Sequence, residues 1–270
     1  MNDFLDPPFV TAGEDQATGA PLQDCIPADS ESHTTGSVRF GTDGMLYAGS
    51  GDGASYTTVD PRALRALDLD SMAGKICRID PITGEGLPDN PHWTGDADGN
   101  RSKVYASGLR NPFRFTVDPT SGEPLIGDVG WATWEEINRG SHDFGWPCYE
   151  GANGVLAQQG GYAALSECQT YYGSNNAHPA VYAYDTSGFG GSPASGTFYE
   201  GTTYPPEFQG ALFINDYAAN WIKYLTFDGG GNATVHDFAS DADGPVEMVT
   251  GPDTNVYYIS ILTGQVRRLR

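Results

Sequence analysis

Apolar and polar residues alternate with a period of two in several stretches: "GSVRFGTDGMLYAGSGDG", "FRFTVDPTSGEPLIGDVG", "GALFINDYAANWIKYLTFDGGG" and "VEMVTGPDTNVYYISILTGQVRRLR". Each alternation breaks at a turn, so each predicts a pair of antiparallel strands. Three share a join, Thr-Asp-Gly at 42–44, Asp-Pro-Thr at 118–120 and Gly-Pro-Asp at 251–253. Three strand-like segments also echo one another, "GKICRID", "NWIKYLTFD" and "GQVRRLR", and Phe40 and Phe115 fall at similar points of their stretches. Repeated units with variable insertions between them are what propeller blades leave in a sequence, but a β-sandwich makes the same alternation, and the pattern leaves both open. One helix is predicted over 61–72, where Pro61 suits a first turn. Residues 1–32 and 150–195 carry little alternation, and we read them as a lead-in and a long insertion of a single domain spanning 1–270.

Composition strengthens the all-β reading: 36 Gly and 18 Pro among 270 residues, with 12% aromatic and only 18% charged, describe short strands joined by turns. The net charge of −21 repels a phosphate backbone and an anionic membrane, so nucleic acid is not an expected partner. It suits an exported protein, extracellular or periplasmic, that binds Ca²⁺ or handles a neutral sugar or glycan. No run approaches the roughly 20 apolar residues of a membrane span, and "MNDFLDPPFV" has none of the regions of a signal peptide. Cys148 and Cys168 bracket a Gly- and Ala-rich loop and are predicted to form a disulfide. Cys25 and Cys77 are left open between a bridge and free thiols, and Asn232 begins an Asn-Ala-Thr sequon.

Several side chains then stand out as candidate chemistry. His33 precedes one predicted strand and Asp52 follows the next, so a hairpin brings both to one end, where a carboxylate fixes an imidazole as a general base. Arg110-Asn111-Pro112 is a rigid turn, because Pro112 keeps Asn111 out of the helical region. Its guanidinium is suited either to an oxyanion or ligand carboxylate, or to tying strands together through backbone carbonyls. "GDADGN" at 95–100 alternates acids as calcium loops do, but Arg101 stands where an EF-hand pattern would continue. Asp216, Tyr217 and Glu247 lie at strand edges, where acids and aromatic rings meet sugars, and Glu135, Glu136 and Glu247 leave carboxylate-based hydrolysis or elimination open. Phosphate loops, Gly-x-Ser-x-Gly elbows and His-Glu-x-x-His helices are absent.

Taken together, "SHTTGSVRFGTDGMLYAGSGDG", "GLRNPFRFTVDPTSGEPLIGDVGWATWEEIN", "FGWPCYEG" and "GPVEMVTGPDTNVYYI" resemble the glucose/sorbosone dehydrogenase family, six-bladed β-propellers that include pyrroloquinoline quinone-dependent sugar dehydrogenases. The resemblance implies that His33 takes the proton of the sugar C1 hydroxyl, that Asp52 is its carboxylate partner and that Arg110 stabilises the developing oxyanion. It also implies that Arg110, Asn111, Gly130 and Trp131 lie at the quinone, with the Gly130 and Trp131 carbonyls helping to hold Ca²⁺. Val129, Tyr217 and "DGPVEM" depart from the positions at which relatives hold the quinone. Relatives also carry on the order of 100 more residues before the His, enough for further propeller strands. A short or incomplete ring is therefore expected, whose free strand edges favour a homo-oligomer. Two functions follow from these observations. One is a dehydrogenase oxidising an aldose C1 hydroxyl to a lactone; the alternative is a non-catalytic secreted propeller that binds carbohydrate or a partner protein.

Overall fold

The first alternating stretch folds as a hairpin, with β1 (Thr35–Phe40) antiparallel to β2 (Leu46–Ser50) across the Thr-Asp-Gly turn. The computed structural model describes residues 13–15, 17–152, 154–186 and 190–270. β3 (Lys75–Ile79) and β4 (Val104–Ala106) extend that hairpin into a sheet of order β1-β2-β3-β4. The pattern recurs in β5 (Pro112–Val117), β6 (Pro124–Asp128), β7 (Trp134–Arg139) and β8 (Tyr182–Asp185), again in sequential order. A third sheet holds β9 (Pro193–Phe198), β10 (Leu212–Asp216), β11 (Trp221–Phe227) and β12 (Ala233–Ser240). The fourth has three strands, β13 (Pro245–Thr250), β14 (Val256–Ser260) and β15 (Gln265–Arg268).

The first strands of successive sheets lie side by side, β1 with β5, β5 with β9 and β9 with β13. This is the arrangement of a β-propeller, and it removes the sandwich alternative. Close approach at the inner strands needs small residues: a Cβ on Gly36 of β1 would lie 2.6 Å from the Pro112 carbonyl oxygen of β5.

Each pair of neighbouring sheets buries its own core. Tyr47, Ile76, Phe115 and Ile126 fill the first junction, Leu125, Ile137, Phe198 and Leu212 the second, and Phe213, Met248, Val256 and Tyr258 the third. The similar placement of Phe40 and Phe115 does not survive folding. Phe115 is fully buried between two sheets, whereas Phe40, the last residue of β1, is 67% exposed. Replacing Phe115 by Ala is expected to cost about 3–5 kcal/mol of folding free energy, whereas Phe40→Ala leaves stability nearly unchanged; urea unfolding measures both.

The helix predicted over 61–72 is shorter, a 3-10 helix over Pro61–Ala66 with Pro at its start and Asp60 accepting from the Arg62 amide as its cap. Its end is fixed by Lys75, which is fully buried and donates to the Arg65, Ala66 and Ala73 carbonyls. An ammonium surrounded by carbonyls is tolerated in the interior where an unpaired one is not.

The segment 150–195 is more structured than its composition suggested. It contains a short helix, Ser166–Tyr171, all of β8 and the start of β9. The β8 alternation is only four residues long, which hid it among Gly and Ala. Of the lead-in, residues 1–12 lie outside the described residues. The rest of that segment is held by Asn100, whose side chain accepts from the Asp24 amide and donates to the Leu22 and Asp70 carbonyls.

Candidate functional site

Two turns at the ends of the first two sheets create the site. His33, just before β1, has φ of 57°, a left-handed conformation uncommon for a residue other than Gly. Its carbonyl accepts from the Gly53 amide at 3.1 Å, and a Cβ on Gly51 would come within 2.4 Å of that carbonyl oxygen. The "SGDG" turn can therefore wrap tightly under the histidine. This places Asp52 Oδ1 2.9 Å from His33 Nδ1.

Asp52 is 1% exposed and fully engaged: Oδ1 also accepts from the Ala54 amide at 3.0 Å, and Oδ2 accepts from the Trp146 indole N–H at 2.7 Å. A carboxylate facing Nδ1 makes Nδ1 the protonated nitrogen of the neutral ring. Nε2 then carries the lone pair and is the nitrogen left for a substrate proton.

Arg110 and Asn111 are anchored through their backbones. Asp128, at the end of β6, accepts from the Arg110 amide at 3.0 Å and the Asn111 amide at 2.7 Å. The Arg110 carbonyl in turn accepts from the Asp52 amide at 2.8 Å, so both turns share one hydrogen-bond line. The Arg110 side chain runs along the turn after β6, where Nη1 donates to the Val129 carbonyl at 3.0 Å and to the Gly130 carbonyl at 2.6 Å. Its guanidinium carbon lies 5.4 Å from the centre of the Trp146 ring. Burial lowers the guanidinium pKa from its usual value, opposed by nearby acids, and burial raises the Asp128 carboxyl well above the usual range.

The loop from Gly130 to Trp134 is irregular, and acids order it. Glu150 Oε1 accepts from the amides of Trp131, Ala132, Thr133 and Trp134 at 2.7 to 3.4 Å, while Oε2 accepts from Gln159. Glu135 Oε2 accepts from the Gly130 amide and Oε1 from Thr186. The Trp131 ring packs on Trp146 and Tyr162, and Cys148–Cys168 closes the segment behind it as a disulfide, as predicted. Cys25 and Cys77 are free thiols.

Burial pushes the Glu135 carboxyl up to about 8 from an ordinary 4.5. Because the folded state holds this proton more tightly than the unfolded chain, the contribution is fully present below about pH 4.5 and is lost as pH rises through about 8. Glu135→Gln is expected to flatten that decline, visible as a smaller difference in thermal midpoint between pH 6 and pH 9.

His33, Asp52 and Arg110 are thus brought together, with Asn111 beside them and Gly130 and Trp131 in the adjoining loop. Residues that sequence reasoning left without a role complete the arrangement: Trp146, Asp128 and Glu150. The signal for Trp146 and Glu150 was "FGWPCYEG", whose aromatic and acidic positions surround the predicted half-cystine. Other candidates lie elsewhere. Asp216 is fully buried, accepting from Tyr184, Ser192, Ala218 and Ala219 as a loop anchor. Glu247 pairs with Arg39 and Arg114, joining β13 to β1 and β5. Glu136 accepts from Asn138 and the Gly151 amide. The acids suggested for hydrolysis or elimination are therefore committed to separate partners.

A flat anionic cofactor such as the implied quinone asks for aromatic walls, a cation and free polar groups. Phe113 and Tyr217 have ring centres 6.0 Å apart, and the Arg114 guanidinium lies 4.3 Å over Phe113. Among the described residues the Asn111 side-chain amide makes no hydrogen bond, and it adjoins this group in sequence. The two rings pack on each other and Arg114 is shared with Glu247, so the group offers such a ring an aromatic face and one unengaged amide. Calcium fits less well, since it takes six to eight oxygens and, of the Gly130 and Trp131 carbonyls expected to hold it, that of Gly130 already faces the Arg110 guanidinium. Among the described residues no group of three or more His, Cys, Asp or Glu converges as a metal set.

Comparison with known proteins extends these observations. The glucose/sorbosone dehydrogenase family matches residues 20–267. The chain is 29% identical over 245 residues to the HIPL2 protein of Arabidopsis thaliana, covering 83% of this chain and 34% of that protein. It is 25% identical over 238 residues to the aldose sugar dehydrogenase YliI of Escherichia coli, covering 84% and 57% respectively. Both relatives are therefore longer than the matched region. Among solved structures, the PQQ-bound form of aldose sugar dehydrogenase from Streptomyces coelicolor superposes with a TM-score of 0.64 at 23% identity, over 93% of this chain and 65% of that one. That likeness establishes the shared fold.

Proposed function

The chain belongs to the glucose/sorbosone dehydrogenase family, and from that membership we propose that it is a sugar dehydrogenase-like oxidoreductase that converts the C1 hydroxyl of an aldose to a lactone. The observation that carries this reading is the His33–Asp52 pair, buried at 2.9 Å and ending in an unclaimed Nε2. Oxidation at C1 removes a proton from the hydroxyl and a hydride from the carbon, and closes a C=O bond. His33 Nε2 receives the proton. Asp52 supports the resulting imidazolium and holds the ring in the one tautomer that can accept. The Trp146 indole and the Ala54 amide keep the carboxylate aimed at Nδ1.

Asn111, Phe113, Arg114 and Tyr217 would hold a quinone beside this base, and such a cofactor supplies the two-electron acceptor when bound. Export from the cytoplasm accords with the Cys148–Cys168 disulfide. Reconstitution with pyrroloquinoline quinone, followed by dye reduction against a panel of aldoses, tests the proposal; neither cofactor absorbance nor turnover on any sugar would reject it.

The second reading, a propeller that binds carbohydrate or a partner without redox chemistry, draws on the Arg39–Glu247–Arg114 pairing. Those guanidiniums are partly neutralised and less able to hold a polycarboxylate. Glycan-array binding that persists after His33→Asn, without turnover, would favour it.

A further inference from the structure

The turn after β6 presents two neighbouring carbonyls to one point in space, and that point is filled. Arg110 Nη1 lies 3.0 Å from the Val129 oxygen and 2.6 Å from the Gly130 oxygen. We infer that Arg110 is the built-in cation of this turn, seated on the carbonyls of Val129 and Gly130 in place of a metal ion, so that the loop beside His33 and Asp52 is ordered without calcium.

The seat is constructed on every side. The Arg110 backbone is fixed at both ends, its amide on Asp128 and its carbonyl on the Asp52 amide, so the side chain starts from a determined position. Trp146 covers the guanidinium with its ring face, an arrangement that favours a cation over a neutral group. The same indole holds Asp52 through its N–H, which couples the cover to the dyad. The two peptide units that supply the carbonyls are pinned from behind, because the Val129 amide donates to the Asn111 carbonyl and the Gly130 amide donates to Glu135. Their oxygens therefore point at Arg110 without reorganisation.

Only 5% of Arg110 is exposed, and the carboxylates of Asp52 and Glu150 act on its charge. A buried guanidinium so compensated has little reason to leave. A calcium ion would need four or more further oxygens at about 2.3–2.6 Å, and at either carbonyl it would stand against the positive charge already there. Gly130 itself is required by this fold, since a Cβ at that position would lie 1.7 Å from the Trp134 carbonyl oxygen. The inference concerns the cation alone and does not depend on whether the chain oxidises a sugar.

Crystals of the full chain grown with EGTA and with millimolar calcium chloride test it directly. Arg110 is expected within hydrogen-bond distance of both carbonyls in each, with no metal density between them; a metal peak coordinated by either carbonyl, with Arg110 displaced, would overturn the assignment. Thermal midpoints in EGTA supply a second measurement. Arg110→Lys, which keeps the charge, should retain more of the wild-type midpoint than Arg110→Gln, and equal losses would remove the charge from the argument.

Discussion

A His33→Asn protein should oxidise an aldose about 10²- to 10⁴-fold more slowly than wild type while remaining folded, the loss associated with removing a positioned general base. Asparagine is the informative choice because, like His33 at φ of 57°, it tolerates the left-handed region. Its amide cannot accept a proton at neutral pH, so binding is retained and proton removal is lost. The effect should fall on kcat more than on KM. Asp52→Asn is expected to slow turnover as well, by presenting a donor where Nδ1–H, the Ala54 amide and the Trp146 indole all require an acceptor. Stopped-flow dye reduction with the reconstituted protein measures both. A wild-type rate in His33→Asn would mean that the proton leaves by another route.

A stability effect as large as that of a core aromatic is expected at Glu150. One carboxylate oxygen accepts from four consecutive amides, Trp131 to Trp134, at 2.7 to 3.4 Å. Glu150→Ala removes the one acceptor shared by these half-buried donors. Hydrogen bonds to a charged group contribute about 1.5–3 kcal/mol each, so the loss of this shared set is expected to cost about 3–5 kcal/mol. For a chain of this size that is a fall of about 6–20 °C in thermal midpoint, read by calorimetry. Glu150→Gln keeps one carbonyl oxygen and should lose about half as much. Equal losses would show that the negative charge, more than the acceptor geometry, orders the loop.

Much of this was legible in the chain. The three echoed segments are the third strands of their sheets, β3, β11 and β15, and the three shared joins are the first turns of the first, second and fourth sheets. The third sheet lacks that join because β9 and β10 are linked by a longer connection carrying the 3-10 helix Pro206–Phe208. The second sheet breaks the echo because its third strand, β7, carries Glu135 and Glu136. Alternation records which face of a strand is buried, and a four-residue strand such as β8 gives it too few positions. His33, Asp52 and Arg110 could be paired through the hairpins that hold them. Trp146 and Glu150 could not, because Asp52 lies 94 residues before Trp146 and one carboxylate on four loop amides leaves no periodic trace. Asp216 shows the converse: its place at a strand edge suggested a ligand, but three backbone amides and a tyrosine hydroxyl use both its oxygens.

The indole of Trp146 donates to the carboxylate that orients His33 and lies under the Arg110 guanidinium. An indole's emission responds to the charges along its long axis, so this ring is an optical reporter wired to the dyad. Replacing Trp93, Trp131, Trp134 and Trp221 with phenylalanine would leave Trp146 as the sole tryptophan of the five in the chain. Its spectrum should then differ between the wild type and Asp52→Asn, reporting on the carboxylate that orients His33 without substrate, dye or cofactor.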